Sequence, residues 1–185
     1  MQDPNQFLAG ALLALGALGI LAGAAAWFFP APLRAALEAF PRSKWPGWLL
    51  AAIGVFWIAW VVNHAALGRF TGLKPFVPFA AVALFAGMVW LLDELLAPRA
   101  LGGLLLLIAN PLLNGVRWAD SAWRLVPVLI AYAWVIAGCM FLLHPWSFRK
   151  LARFVAASDG RVRLTGVAKL VAGAVLLGAG WWCLR

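Results

Sequence analysis

The chain is 185 residues long, 65% hydrophobic and 11% charged, with a mean hydropathy of +0.94 and a net charge of +9 from 15 Lys+Arg against 6 Asp+Glu. A soluble domain carries about a quarter charged residues, and one core of this size could not hide so much apolar surface, so the solvent for most of the chain is lipid. Lipid cannot satisfy backbone polar groups, which leaves helices or a closed barrel, and runs such as 101–108 and 167–180 lack the alternation of a barrel strand.

A helix of about 20 residues crosses a hydrocarbon core of ~30 Å. The first span is 7–29, ended by Pro30. It is longer than a signal-peptide core, ends in bulky residues and follows a segment without basic residues, so it reads as a retained span. The second, 48–67, is entered through Pro46-Gly47. The third, 76–92, stops at Asp93-Glu94, and the fourth, 100–116, follows Pro98-Arg99 after almost no loop. The fifth, 125–143, stops at His144-Pro145, and the sixth is 164–184. The predicted fold class is all-α: a polytopic transmembrane bundle of six spans forming one membrane domain, 1–185. Its parts are a first hairpin 7–67, a central hairpin 76–116 and a second outer hairpin 125–184.

In a soluble protein the basic balance would suggest nucleic acid. Here the basic residues stand at span ends, where topology and anionic headgroups account for them, and no nucleic-acid partner is expected. One side collects Arg34, Arg42, Lys44, Arg99, Arg149, Lys150, Arg153, Arg161 and Arg163; the other collects Arg69, Lys74, Arg117, Arg124 and Arg185. The larger set belongs in the cytoplasm of a bacterial inner membrane, which puts both termini outside. Arg149, Lys150, Arg153, Arg161 and Arg163 are candidate contacts for lipid headgroups. Most of the 12 tryptophans fall near span ends, as an aromatic belt requires.

Phe29-Pro30-Ala31-Pro32-Leu33-Arg34 and His144-Pro145-Trp146-Ser147-Phe148-Arg149 share a proline and an arginine at matching offsets. A short amphipathic stretch follows each. Proline ends the span and the amphipathic turns lie in the headgroup layer, giving two interfacial helices and a weak internal repeat. The run 151–184, with Ser158-Asp159-Gly160-Arg161-Val162-Arg163-Leu164-Thr165-Gly166 ahead of a Gly/Ala/Leu-rich span, resembles a small uncharacterised family of two-helix bacterial inner-membrane proteins. The whole chain is similar to uncharacterised multi-span bacterial membrane proteins. The resemblance implies a membrane hairpin and carries no activity with it.

Few residues are suited to chemistry. His64 and His144 end spans on opposite sides, too far apart for a shared metal or haem, and Cys139 and Cys183 form no metal-ligand cluster. No metal site and no cofactor is predicted. Asp93 and Glu94 interrupt an apolar stretch near Arg99 and are candidate ion-path carboxylates or an interfacial pair for that arginine. Neighbouring helix residues diverge by about 100°, so the two do not face one substrate. Asn110-Pro111 breaks the fourth span, frees the carbonyl of Leu107 and sets Asn110 one turn from Asn114. With Asp93 and Glu94 at its mouth, that group is the candidate polar intramembrane site, or inter-helix glue. Lys169 is expected to snorkel. Gly19 and Gly23 form a GxxxG, and Ala168 and Ala172 a small-residue face, both candidate packing interfaces.

No nucleophile elbow, phosphate loop or metalloprotease motif is present, and the loops are too short for an extramembrane domain. The expected function is therefore non-enzymatic: an accessory or scaffold subunit of a larger membrane complex, with other membrane subunits or a second copy as partner. The alternative is a small solute transporter or substrate-binding membrane component.

Overall fold

The computed structural model describes residues 3–91 and 95–184. Its helices are α1 (Pro4–Phe28), α2 (Pro30–Ala39), α3 (Lys44–His64), α4 (Val77–Leu91), α5 (Leu96–Val116), α6 (Leu125–Leu143), α7 (Pro145–Val155) and α8 (Asp159–Cys183), and the described residues contain no strand. Six segments are long and apolar enough to cross a membrane, so the chain is an all-α, multi-pass membrane bundle.

Helix ends follow local chemistry. Asp3 caps α1 by accepting from Asn5 N–H, and Pro4 occupies the first position, where no N–H is needed. Pro46 and Pro98 fall within the first turns of α3 and α5 for the same reason, so both helices start four residues before the predicted spans. Ser158 accepts from Arg161 N–H at 3.2 Å, and Asp159 suits the positive end of the helix dipole. The Ser-Asp-Gly motif is thus the start of α8, five residues earlier than 164.

The third span also begins earlier than predicted. A 3-10 turn, Gly68–Phe76, leads into α4 and makes one candidate span of 24 residues, Gly68–Leu91. Pro75 has no N–H to donate, and Thr71 Oγ1 donates to Gly68 O at 2.6 Å, holding the tighter winding. On the other side of this hairpin Leu95 adopts a left-handed φ of 60°, which costs a branched side chain ~1–2 kcal/mol.

The two proline junctions have the same conformation. Phe29 has φ −126° and ψ 55°, and His144 has φ −127° and ψ 73°; each donates its N–H to the carbonyl four residues back. A following proline bars the α region, so each long helix must break there and restart as an interfacial helix. The likeness extends into the spans. Gly16 and Gly23 stand two heptads and one heptad before Pro30, and Ala131 and Gly138 stand at the same distances before Pro145. All four are at or near close helix crossings.

The main crossing is between α1 and α8, which run antiparallel. Gly16 meets Gly173, Gly23 meets Gly166 and Ala9 meets Gly180. These contacts recur every seventh residue, the spacing of a left-handed helix pair, and small residues let the backbones touch. A second antiparallel pair, α5 and α6, closes where Gly102 meets the carbonyl of Gly138. α3 runs parallel to α5, with Gly47 against Ala97. α5 is therefore central, packed by α1, α3 and α6. Leu8, Leu12, Ala109, Leu112, Val116, Ala131 and Ala179 make the main core near the start of α1. α4 packs mainly on α3, and Ala81 is the buried residue of its described length.

These pairings bring α2, α7 and the start of α5 to one end, which carries the Lys/Arg-rich segments. The start of α1, residues 65–76 and 117–124, and the end of α8 meet at the other.

Candidate functional site

Asn110, Pro111 and Asn114 lie on α5 where its surface is exposed. Asn114 Nδ2 donates to Asn110 Oδ1 at 2.9 Å. This bond uses one of the two donor hydrogens of Asn114 and one lone pair of Asn110. The remaining amide groups point outward, and Pro111 leaves the carbonyl of Leu107 without its usual donor. Asn110 stands six residues before the end of α5, roughly 9 Å along the axis, and so within the hydrocarbon layer. Asp93 and Glu94, predicted at the mouth of this group, lie outside the described residues.

The asparagines belong to a longer stripe that sequence reasoning missed. Arg99, Gly103, Leu107, Asn110 and Asn114 follow at steps of four, four, three and four, which keeps them on one side of α5. α3 flanks the stripe on one side and α6 on the other. At the basic end it forms the floor of an apolar crevice of about 380 Å³ with walls from α3, α4 and Leu142 of α6. Arg99 stands in this crevice with its Nε buried and, among the described residues, without a hydrogen-bond partner. The i, i+4 spacing of Arg99, Gly103 and Leu107 was visible in the sequence, but the gap above it depends on where α3, α4 and α6 stand.

The basic residues of α7 and early α8 gather at the same end. Lys150 Nζ lies 4.2 Å from the Trp146 ring centroid. The Arg161 guanidinium lies 5.0 Å from the Phe154 ring, and its Nη1 donates to Phe154 O at 3.4 Å. Arg153 Nε donates to Arg149 O at 3.4 Å. Arg149 and Arg153 line a cleft of about 330 Å³ between α2 and α7, with Arg42 and Glu38 opposite. Arg163 is exposed on the first turns of α8. Arg34 joins α2 to the start of α8, pairing with Glu38 at 3.5 Å and with Asp159 at 3.6 Å. Phe148 meets Phe40 in a tilted pair and Phe141 edge to face, both at 5.2 Å, and holds α7 to the turn after α2 and to α6.

The other candidates fall apart in space. Gly19 and Gly23 face α8, whereas Ala168 and Ala172 lie on the exposed side of α8. His64 ends α3 at the less basic end, with its Nδ1 2.8 Å from Trp60 O; His144 ends α6 at the basic end. Lys169 is exposed. Cys183 Sγ reaches Ser121 Oγ at 3.7 Å, and Asp120 N–H donates to Asn5 Oδ1, which ties the loop before α6 to both helices at the less basic end of the α1–α8 pair.

Compared with known proteins, the chain matches no family model, no curated protein and no solved structure.

Proposed function

We propose that this protein is a non-enzymatic component of a bacterial inner-membrane assembly, and that it binds its partner through the Asn110–Asn114 face of α5. The observation that carries this reading is the amide pair itself, exposed on a helix inside the hydrocarbon layer. An unmade amide hydrogen bond in an apolar medium costs several kcal/mol, while a bond to a neighbouring transmembrane helix recovers ~0.6–2 kcal/mol. The outward placement favours lateral association over the alternative of a transporter, which would use a broken helix to line an internal binding site. With the basic end in the cytoplasm, the partner contact lies in the outer leaflet.

A photo-activatable residue placed at Tyr132, exposed on α6 beside Asn114, tests the proposal in cells and leaves the amide pair intact. A single protein adduct of defined mass is expected, with twice the chain's own mass if the partner is a second copy. The same residue at Phe79, exposed on α4, serves as the lipid-facing control. Adducts to lipid alone at both positions would remove the support for a partner.

A further inference from the structure

We infer that the crevice on α5 holds an acyl chain of an anionic phospholipid, with Arg99 donating to its phosphate. The crevice of about 380 Å³ falls within the ~300–1,000 Å³ range of ligand sites. Its walls are aliphatic: Leu50 and Ile58 of α3, Leu84 and Met88 of α4, Leu142 of α6. Arg99 supplies the charged group. Its Nε is shielded and has no acceptor among the described residues, a costly state for a guanidinium that a phosphodiester oxygen would relieve.

The length of the crevice distinguishes a lipid from a spanning helix. Arg99 to Leu107 covers roughly 12 Å of helix axis, close to one leaflet of a ~30 Å core. Past Leu107 the stripe turns polar at Asn110. A chain entering from the headgroup layer beside Arg99 would therefore fill the groove and stop near the midplane. The charge also fits, since Arg42, Arg149 and Arg153 stand at the same end and favour an anionic headgroup over a zwitterionic one.

The internal repeat explains why a gap exists here. By the matched proline junctions, α6 and α3 are the counterparts of α1 and α8. α1 and α8 meet at glycine on glycine, whereas α5 stands between α3 and α6 and leaves the crevice over its own surface. Gly54 and Gly103 line it: a β-carbon would touch Leu104 at 3.7 Å from Gly54 and Leu142 at 3.9 Å from Gly103, ordinary contacts that leave a larger side chain only the crevice to occupy.

The test is native mass spectrometry of the full chain, delipidated in mild detergent and given phosphatidylglycerol or phosphatidylcholine of identical chains. One retained phosphatidylglycerol is expected, with phosphatidylcholine held about ten-fold less well. Arg99→Met should lose that preference, Gly103→Leu should lose the lipid by filling the groove, and Arg69→Met, exposed at the opposite end of the bundle, should behave as the parent. Glycerol phosphate, which has the headgroup chemistry and no chain, should not compete. Equal retention of the two lipids by the parent would overturn the proposal, as would displacement by glycerol phosphate. If Arg99→Met fails to give monodisperse protein, Gly103→Leu decides alone: parental retention by that variant would place the lipid elsewhere.

Discussion

Gly23 of α1 and Gly166 of α8 touch through their backbones: a β-carbon on Gly23 would lie 2.7 Å from Gly166 O, and one on Gly166 would lie 3.0 Å from Gly23 O. Neither helix can accept a side chain there without moving the other. Gly16 with Gly173 repeats the relation one heptad along.

Overpacking a close crossing costs ~1–3 kcal/mol, so Gly23→Val and Gly173→Val should each lower the thermal or denaturant midpoint of the detergent-solubilised protein. Ala168→Val and Ala172→Val, on the exposed side of α8, should stay within about 0.5 kcal/mol of the parent. Equal losses in both sets would mean that α8 packs through a different face.

Phe148 joins α7 to α6 and to the turn after α2 through two ring pairs at 5.2 Å. Such pairs contribute ~0.5–1.5 kcal/mol each beyond area burial, so Phe148→Ala should cost about 1–3 kcal/mol and Phe148→Leu less. Proteolysis within 145–157, followed by mass spectrometry, should quicken in the alanine variant as the interfacial helix loosens.

Arg34 of α2 and Asp159 at the start of α8 pair at 3.6 Å, but their side chains are 42% and 53% exposed. Exposed pairs are worth ~0–1 kcal/mol after screening. A double-mutant cycle with Arg34→Ala and Asp159→Ala should give a coupling below about 1 kcal/mol that shrinks further in high salt. A larger coupling would show that the headgroup layer screens this pair less than water does.

Asn110 and Asn114 bond to each other rather than to the rest of the bundle. Replacing both with leucine should leave the isolated chain within about 0.5 kcal/mol of the parent while removing the adduct captured at Tyr132, beside Asn114. Loss of fold in the double variant would instead assign the pair an internal packing role.

Orientation can be read by thiol labelling of intact cells on a cysteine-free background. Ser121→Cys, at the less basic end, should react with an impermeant reagent, and Ser43→Cys should react only after permeabilisation. The reverse pattern would invert the topology while leaving the bundle unchanged.

Membrane residence and helical class were legible in the composition, because lipid permits few backbone solutions. The junctions at Pro30 and Pro145 were legible for a similar reason: proline removes a donor and forbids the α region to the residue before it. The helices start ahead of the predicted spans, at Lys44, Leu96 and Asp159, because first-turn positions tolerate Pro46, Pro98 and Gly160. Partner choice was not legible. The long helices are apolar nearly all round, so polarity does not mark which face turns inward. Close contact falls instead to small residues at seven-residue spacing, Gly16 and Gly23 against Gly173 and Gly166, which lie about 150 residues apart in the chain and have meaning only together. Local chemistry, then, determined where each helix begins, breaks and stops. The tertiary structure alone decided that α1 pairs with α8, that α5 holds α3 and α6 apart, and that the gap so left takes in Arg99, whose buried Nε has no partner among the described residues.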